Sequence, residues 1–401
     1  MLSAAARPYI DASVPVLREH GVAITTVFYR NMFKAHPELT NLFNMGNQAQ
    51  GTQPKSLAAA VFAYAANIDN PAALAPVISR IAHKHASLGI TAAQYPIVGE
   101  NLLGAIKEVL GDAATQPLLD AWAEAYGLLA DVLIAEEKKL YTQAGTESGE
   151  MRNFAVSAIR EQGELVRAFE FVPADGGPLP DFHPGQYVSV TVNFADGTRQ
   201  LRQYSLSDAP NKPYLRISVK RELEGKDTPS GRVSNWLHDN VKVGDQLLLS
   251  APFGEFQPNT TDDMPIVLMS AGVGITPMIS VINTLAEKPP GHKVMFAHAA
   301  RAKSHHAHLD DLENAQKRMP NLKSIKFYEA MHAADCRHEQ TLQGQMQVSS
   351  LPEWPLADSN IYLCGPLAFM QKQRQQLLAV GVPSARIHRE VFGPDMLDHL
   401  M

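Results

Sequence analysis

Two cysteines in 401 residues, Cys336 and Cys364, are too few for a disulfide framework or a four-cysteine zinc site, and they favour a reducing compartment. The chain has no Cys-x-x-Cys-His, which excludes covalently attached c-type haem while leaving haem held without covalent bonds open. Long uncharged apolar runs are lacking, so no segment reads as a membrane span. The opening MLSAAARPYIDASVPVLREHG places Asp11, Arg18 and Glu19 where a signal peptide would be apolar, and a cytoplasmic protein is expected. An excess of basic residues is missing too. The 35 Lys and Arg against 41 Asp and Glu give a formal charge of -6, which argues against nucleic acid as a partner.

What is present is an ordinary globular composition, 45% hydrophobic and 19% charged. At about 150 residues per domain it predicts two or three cores. The first part, to about Gln143, is rich in Ala and Leu and nearly free of strand signals. Apolar stripes at helical spacing run Leu57, Val61, Tyr64, Ile68; Val77, Ile81, Leu88; Tyr95, Val98, Leu102, Ile106; and Tyr126, Leu129, Leu133, Leu140. Pro37, Pro54, Asn70-Pro71, Gly89, Thr91 and Gly111-Asp112 punctuate the connections. The polar stretch AGTESGEMRN reads as a linker. Beyond it, Val188, Val190 and Val192 alternate with Ser189 and Thr191, and Leu215, Ile217 and Val219 with Arg216, Ser218 and Lys220, the period of half-buried strands in an antiparallel barrel or sandwich. From Met264, strand-turn-helix units follow one another, as in PIVLMS-AGVGITP-MISVINTLAEK, and predict a parallel α/β sheet.

Two residues of the helical part sit where apolar ones are expected. His85 shares a stripe with Ile81 and Leu88, and Glu137 projects from the stripe of Tyr126 and Leu133. A buried carboxylate needs a partner. Glu137 accepting the Nδ1 proton of an iron-ligating imidazole, with Tyr95 completing the network, would raise the basicity of that ligand. The alternative is that Glu137 reaches water at a helix end, and that His85 is a core histidine.

In the strand-rich part, RQYSL (Arg202–Leu206) places a cation, a ring and a hydroxyl close together, as a flavin needs, although a solvated hairpin would read the same way. AGVGITP offers Gly272 and Gly274 for close backbone approach and Thr276-Pro277 to open a helix whose N-terminus can receive a pyrophosphate. It is not G-x-G-x-x-G, and HAARAK puts Arg301 and Lys303 where an acid would read a ribose, which disfavours a Rossmann dehydrogenase. His305, His306 and His308 have no matched distant ligand and are expected to be solvated surface histidines.

Over essentially its whole length the sequence resembles the flavohaemoglobin family, through FYRNMFKAHPELTNLFN, KHASLGI, QYPIVGENLL, AWAEAYGLLA, PGQY, RQYSL, VKRE, GRVSNWLH, AGVGITP, LCGP and EVFGP. The resemblance implies a multi-domain fold: an all-α globin (1–146), an antiparallel β-barrel FAD domain (147–260) and an α/β parallel-sheet NAD(P) domain like ferredoxin reductase (261–401). It implies His85 as the proximal ligand of haem b, Tyr95 and Glu137 as its network, Tyr29 and Gln53 as distal groups, and Phe43 and Leu57 against the haem. FAD would be held by Tyr187, Arg202, Gln203, Tyr204, Ser205, Lys220, Val233 and Ser234. NAD(P)H would be held by Gly272, Val273, Gly274, Ile275, Thr276, Pro277, Cys364 and Gly365, and the flavin covered by Glu390, Val391, Phe392, Gly393 and Pro394.

The implied activity is nitric oxide dioxygenase, with electrons passing from NAD(P)H through FAD to haem and with O2 and nitric oxide becoming nitrate. NADH is the expected donor, while Arg301 and Lys303 offer partners for a 2′-phosphate. Reduction of alkyl or lipid hydroperoxides, with lipid as a further occupant of the haem pocket, is the rival reaction. An O2 or NO carrier or sensor is the rival class, against which the fused reductase argues. A monomer acting on small molecules is expected. Where the family carries Gly-Gly-Trp at the linker, this chain reads Ser148, Gly149, Glu150.

Overall fold

The computed structural model describes residues 2–225, 228–289, 291–331 and 340–394; Cys336 lies outside them. Contacts gather the chain into two compact units, one built on the helical residues up to 151 and the other on 152–188 and 203–392.

The helical unit contains α1 (Arg7–Ala35), α2 (Met45–Ala49), α3 (Thr52–Ala66), α4 (Pro71–Leu88), α5 (Tyr95–Leu110) and α6 (Gln116–Ala144). Its boundaries follow local chemistry. The Asn70 side chain accepts from the Ala73 amide and Pro71 takes the first turn of α4, where its missing N–H costs nothing. Gly89, at φ 74°, closes that helix in a left-handed conformation that side chains resist. Thr91 and Gln94 make a capping box ahead of α5, and Gly145 ends α6. Pro54, read from sequence as part of a connection, instead lies in the first turn of α3. One face of α1 buries Ile10, Leu17, Ile24, Phe28 and Met32 against Leu102, Ala105 and Ile106 of α5 and Trp122 of α6. Each large side chain so buried contributes about 1.5–3 kcal/mol.

The strand-rich part follows in the chain: β1 (Arg152–Glu161), β2 (Val166–Pro173), β3 (Tyr187–Asn193), β4 (Arg199–Ser205), β5 (Leu215–Lys220) and β6 (Gln246–Leu249), with α7 (Arg232–Asn240) between the last two. Strand order is β4-β3-β6-β1-β2-β5, antiparallel where β1 meets β2 and β6 and where β2 meets β5. A bridge between Leu206 and Ile217 joins the chain leaving β4 to β5, the opposite edge of the sheet, and so closes it. Alternation along β3 and β5 predicts one wet face, yet Ser189, Thr191, Arg216 and Ser218 are buried as well. In β5 the reason is tertiary. Arg216 and Ser218 are hydrogen-bonded to Asp311 and His308, far away in sequence.

The parallel sheet follows: β7 (Ile266–Ala271), α8 (Ile275–Ala286), β8 (Val294–Ala300), α9 (Leu309–Arg318), β9 (Leu322–Tyr328), β10 (Thr341–Gln343), β11 (Asn360–Cys364), α10 (Leu367–Ala379) and β12 (Ile387–Glu390). Its order is β10-β9-β8-β7-β11-β12, every pair parallel. Apolar layers cover both faces, Leu268, Ile279 and Phe296 in one and Val267, Leu363 and Leu377 in the other, which is why these strands read as continuous apolar runs. The chain runs outward from β7 to β10 and then returns to β11 on the other side of β7. That reversal leaves a crevice outside the carboxyl ends of β7 and β11. Among the described residues no helix is long and apolar enough to cross a membrane.

Candidate functional site

The last turn of α4 presents His85 to α6. Its Nδ1 lies 2.7 Å from Glu137 Oε1 and 3.0 Å from Tyr95 Oη, at the start of α5. Tyr95 also donates to Glu137, whose side chain is only 4% exposed. Burial, and then Glu137, push the Tyr95 phenol far above its ordinary range, so its hydroxyl stays the donor and the carboxylate the acceptor. A carboxylate oxygen 2.7 Å from Nδ1 is satisfied by a proton on that nitrogen, and Nε2 is left to bind a metal. The His85 side chain is 32% exposed, so one side of the ring is uncovered while its hydrogen-bonded side is closed. This donor set fits an iron ligand.

A feature the sequence did not announce fixes Tyr95. The Tyr126 hydroxyl donates to the Tyr95 carbonyl at 2.7 Å, and a Cβ at Gly99 would sit 2.7 Å from the Tyr126 ring. A lone glycine within a helical pattern was the available signal.

Helix α3 packs on α4 through Ala60, Ala63, Val77 and Ile81, which brings Gln53 and Leu57 to the helix next to that of His85. Gln53 Nε2 donates to the buried Tyr29 hydroxyl at 3.3 Å, leaving the hydroxyl's own proton to be given elsewhere. Burial raises the Tyr29 pKa to about 12 and outweighs the hydrogen bond from Gln53, so it is a neutral donor at any physiological pH. The Tyr29 ring packs edge-on to Phe43 at 5.6 Å and stacks on Phe33 at 5.7 Å. Phe43, Leu57, Val61 and Val98 join this core only partly buried, so apolar surface remains available to a flat apolar group.

In the barrel, Arg202, Gln203 and Tyr204 are half-buried on β4, and Arg202 Nη1 donates to Gln200 Oε1 at 3.0 Å and to the Leu201 carbonyl at 2.6 Å. Ser205 is buried with a hydroxyl that finds no protein partner, a polar atom that a cofactor such as FAD would satisfy. The buried Tyr187 ring is overlaid by Gly254, where a Cβ would approach it to 3.0 Å. Lys220 pairs with Glu222 at 3.0 Å, and Ser234 beside the buried Val233 accepts from the Glu222 amide at 3.2 Å.

At the crevice, the Gly272–Gly274 turn after β7 leads into α8, where Ile275, Thr276 and Pro277 form the first turn and Thr276 Oγ1 donates to the Val273 carbonyl at 3.1 Å. Gly272 faces open space, but a Cβ on Gly274 would lie 2.3 Å from the Cys364 carbonyl oxygen. The close approach that the sequence assigns to a ligand is, at Gly274, an approach to the Cys364–Gly365 backbone. Register pairs Cys364 with Glu390 on β12, so the turn, the LCGP segment and Glu390 lie at the same carboxyl end of adjacent strands. Val391 is partly buried, Phe392 is 45% exposed, and Gly393 and Pro394 follow them.

The expectation of solvated histidines fails at two positions. His306 and His308 are 2% and 1% exposed, His305 is half-buried, and all three belong to hydrogen-bonded contacts rather than a metal cluster. Among the described residues no group of three His, Cys, Asp or Glu could hold a metal ion.

Globin, oxidoreductase FAD-binding and oxidoreductase NAD-binding families match residues 26–133, 155–257 and 268–375. A flavohemoprotein of Rhizobium meliloti is 48% identical over 402 residues, covering 99% of each chain. The chain belongs to the flavohemoprotein family. Flavohemoglobin from Malassezia yamatoensis, solved with bound FAD and heme, superposes with a TM-score of 0.86 at 32% identity over 98% of this chain and all of that one. The FAD/NAD-binding domain of a nitric oxide dioxygenase from Vibrio cholerae is 42% identical, with a TM-score of 0.56, covering 61% of this chain and 99% of its own. The chain is therefore a helical globin followed by an FAD-binding antiparallel sheet domain and a parallel-sheet NAD-binding domain, in an oxidoreductase family.

Proposed function

We propose that the protein is a nitric oxide dioxygenase driven by NAD(P)H, with domains at 1–146, 147–260 and 261–401. The observation that carries this reading is the buried Glu137 carboxylate on the Nδ1 side of His85. A partner of that kind makes an imidazole a more electron-rich ligand, which suits oxygen activation more than simple carriage. The name of the Vibrio cholerae relative supports the same activity. Two cysteines in the whole chain suit work in the reducing cytoplasm.

When bound, NAD(P)H supplies a hydride, FAD turns that pair into single electrons, and haem b supplies the iron at which O2 and nitric oxide combine. The protein's part is holding and orienting. His85 would hold iron through Nε2 while Glu137 and Tyr95 keep the proton on Nδ1. Tyr29, with its own hydroxyl steadied by Gln53, would donate to negative charge developing on bound oxygen, and Phe43 and Leu57 would exclude water from the pocket. Arg202, Tyr204 and Ser205 would take the phosphate, ring and polar edge of FAD. The Gly272–Pro277 turn would meet the dinucleotide at the start of α8.

The test is a turnover assay with NADH, O2 and nitric oxide on protein carrying both cofactors. Nitrate rising in step with loss of nitric oxide is expected. NADH oxidation that instead requires an alkyl hydroperoxide, with no nitrate, would replace this reading with the peroxidatic one.

A further inference from the structure

The segment leaving β8 is fastened in a way that nothing in the globin or flavin reading requires. In a parallel sheet of this kind the residues just after the second strand read the ribose of the dinucleotide, and here that strand ends at Ala300 and leads to the exposed Arg301 and Lys303. Five residues beyond Lys303, His308 stands at φ 62°, the only residue other than glycine with positive φ among those described. A side chain held in that conformation persists only where its surroundings determine it.

Those surroundings are specific. His308 Nδ1 lies 2.7 Å from Asp311 Oδ2, its Nε2 is 2.9 Å from Ser218 Oγ on β5 of the barrel, and its amide donates to Gln162 Oε1 at 3.2 Å. Asp311 is held in turn by Arg216 Nη2 at 3.0 Å and Asn283 Nδ2 at 3.1 Å. Burial lowers the His308 pKa, so the ring is neutral: Nδ1 donates to the carboxylate and Nε2 accepts from the Ser218 hydroxyl. Both ring nitrogens are thus used, one within the NAD-binding domain and one on the FAD-binding barrel. Two further ties hold the same segment. The Glu164 amide donates to the Ser304 carbonyl at 2.8 Å, and His306 Nδ1 meets Tyr328 Oη at 2.8 Å.

We propose that His308 is a positioning residue for the nucleotide site, locking the Arg301–His308 segment onto barrel strand β5 and so presenting the adenosine-ribose end of the site in a fixed shape. The proposal rests on the reading that this domain takes NAD(P)H. It makes ribose recognition depend on a residue that touches no nucleotide.

The test uses the full-length protein with its FAD and haem and compares it with His308→Gly, which accepts the backbone conformation but removes both ring hydrogen bonds, and with Ser218→Ala, which removes one partner from the barrel side. Binding of ADP-ribose is measured by calorimetry, NADH-dependent ferricyanide reduction supplies KM and kcat, and limited trypsin digestion reports cleavage after Arg301 and Lys303. Losing hydrogen bonds of ordinary net strength predicts that His308→Gly raises the Kd for ADP-ribose and the KM for NADH about tenfold and Ser218→Ala about threefold. FAD content and kcat should stay within about twofold of the parent, and trypsin should cut faster in His308→Gly. An unchanged Kd in both variants, or FAD content and kcat falling in proportion to KM, would overturn the proposal. A parent protein that binds no ADP-ribose and reduces no ferricyanide with NADH would instead bring down the nucleotide reading itself, and the proposal with it.

Discussion

At the scale of single residues, the chemistry is set by what a buried polar group is allowed to touch. Tyr29 illustrates this, because Gln53 occupies its oxygen and leaves the proton to give. Tyr29→Phe keeps the ring packing and removes only that donor. A hydrogen bond to a charged group contributes about 1.5–3 kcal/mol, so O2 release measured by stopped flow should quicken roughly ten- to hundredfold, with flavin reduction by NADH unchanged. Release at the parent rate would assign the role to Gln53. His298 carries the opposite consequence. Burial lowers its pKa from 6.5 to about 3. The unfolded chain then binds the extra proton between those values, so stability is complete above pH 6.5 and is lost as pH falls toward 3. At pH 5 the loss is about 2 kcal/mol from this group, read as a fall in denaturation midpoint that His298→Gln should reduce. The trio of His85, Tyr95 and Glu137 was legible because a carboxylate interrupted an apolar stripe. The burial of His306 and His308 was not, since KSHHAH has no periodicity and its partners, Tyr328 and Ser218, are remote in sequence.

At the scale of elements, glycines separate into those the packing needs and those it tolerates. Gly274 has φ near -62°, which any residue adopts, so the difficulty with Gly274→Ala is purely steric: its Cβ would meet the Cys364 carbonyl at 2.3 Å. Overpacking of this kind costs about 1–3 kcal/mol, and the loss should appear in chemical denaturation of the reductase transition. Gly104, inside α5, has nothing within 4 Å of an added Cβ. Gly104→Ala should therefore stabilise the helical unit by about 0.5–1 kcal/mol, and a destabilised protein would contradict the packing described for α5. Helices and strands themselves were readable, because the period of apolar residues changes from helical to alternating to continuous along the chain. What alternation could not show was the second covered face of β5, since burying Arg216 and Ser218 depends on α9 arriving from nearly a hundred residues away.

At the scale of the whole molecule, three families in one chain predict separable functions. A fragment beginning at Glu147 should retain FAD and reduce ferricyanide with NADH at a rate within about threefold of the full chain, as expected of domains with their own cores. A folded fragment without flavin would place the boundary elsewhere. Domain order was legible in the sequence from composition and motif order, while the closure of the barrel through Leu206 and Ile217 was not, because one bridge leaves no pattern. Cys364 has a use of another kind. Its thiol is wholly buried at the end of β11, and burial, with Glu390 beside it, lifts its pKa well above the ordinary value. Alkylation at that sulfur must then wait for the strand to open, so the rate at which iodoacetamide labels its peptide, resolved by mass spectrometry from that of Cys336, becomes a clock for breathing at the nucleotide crevice.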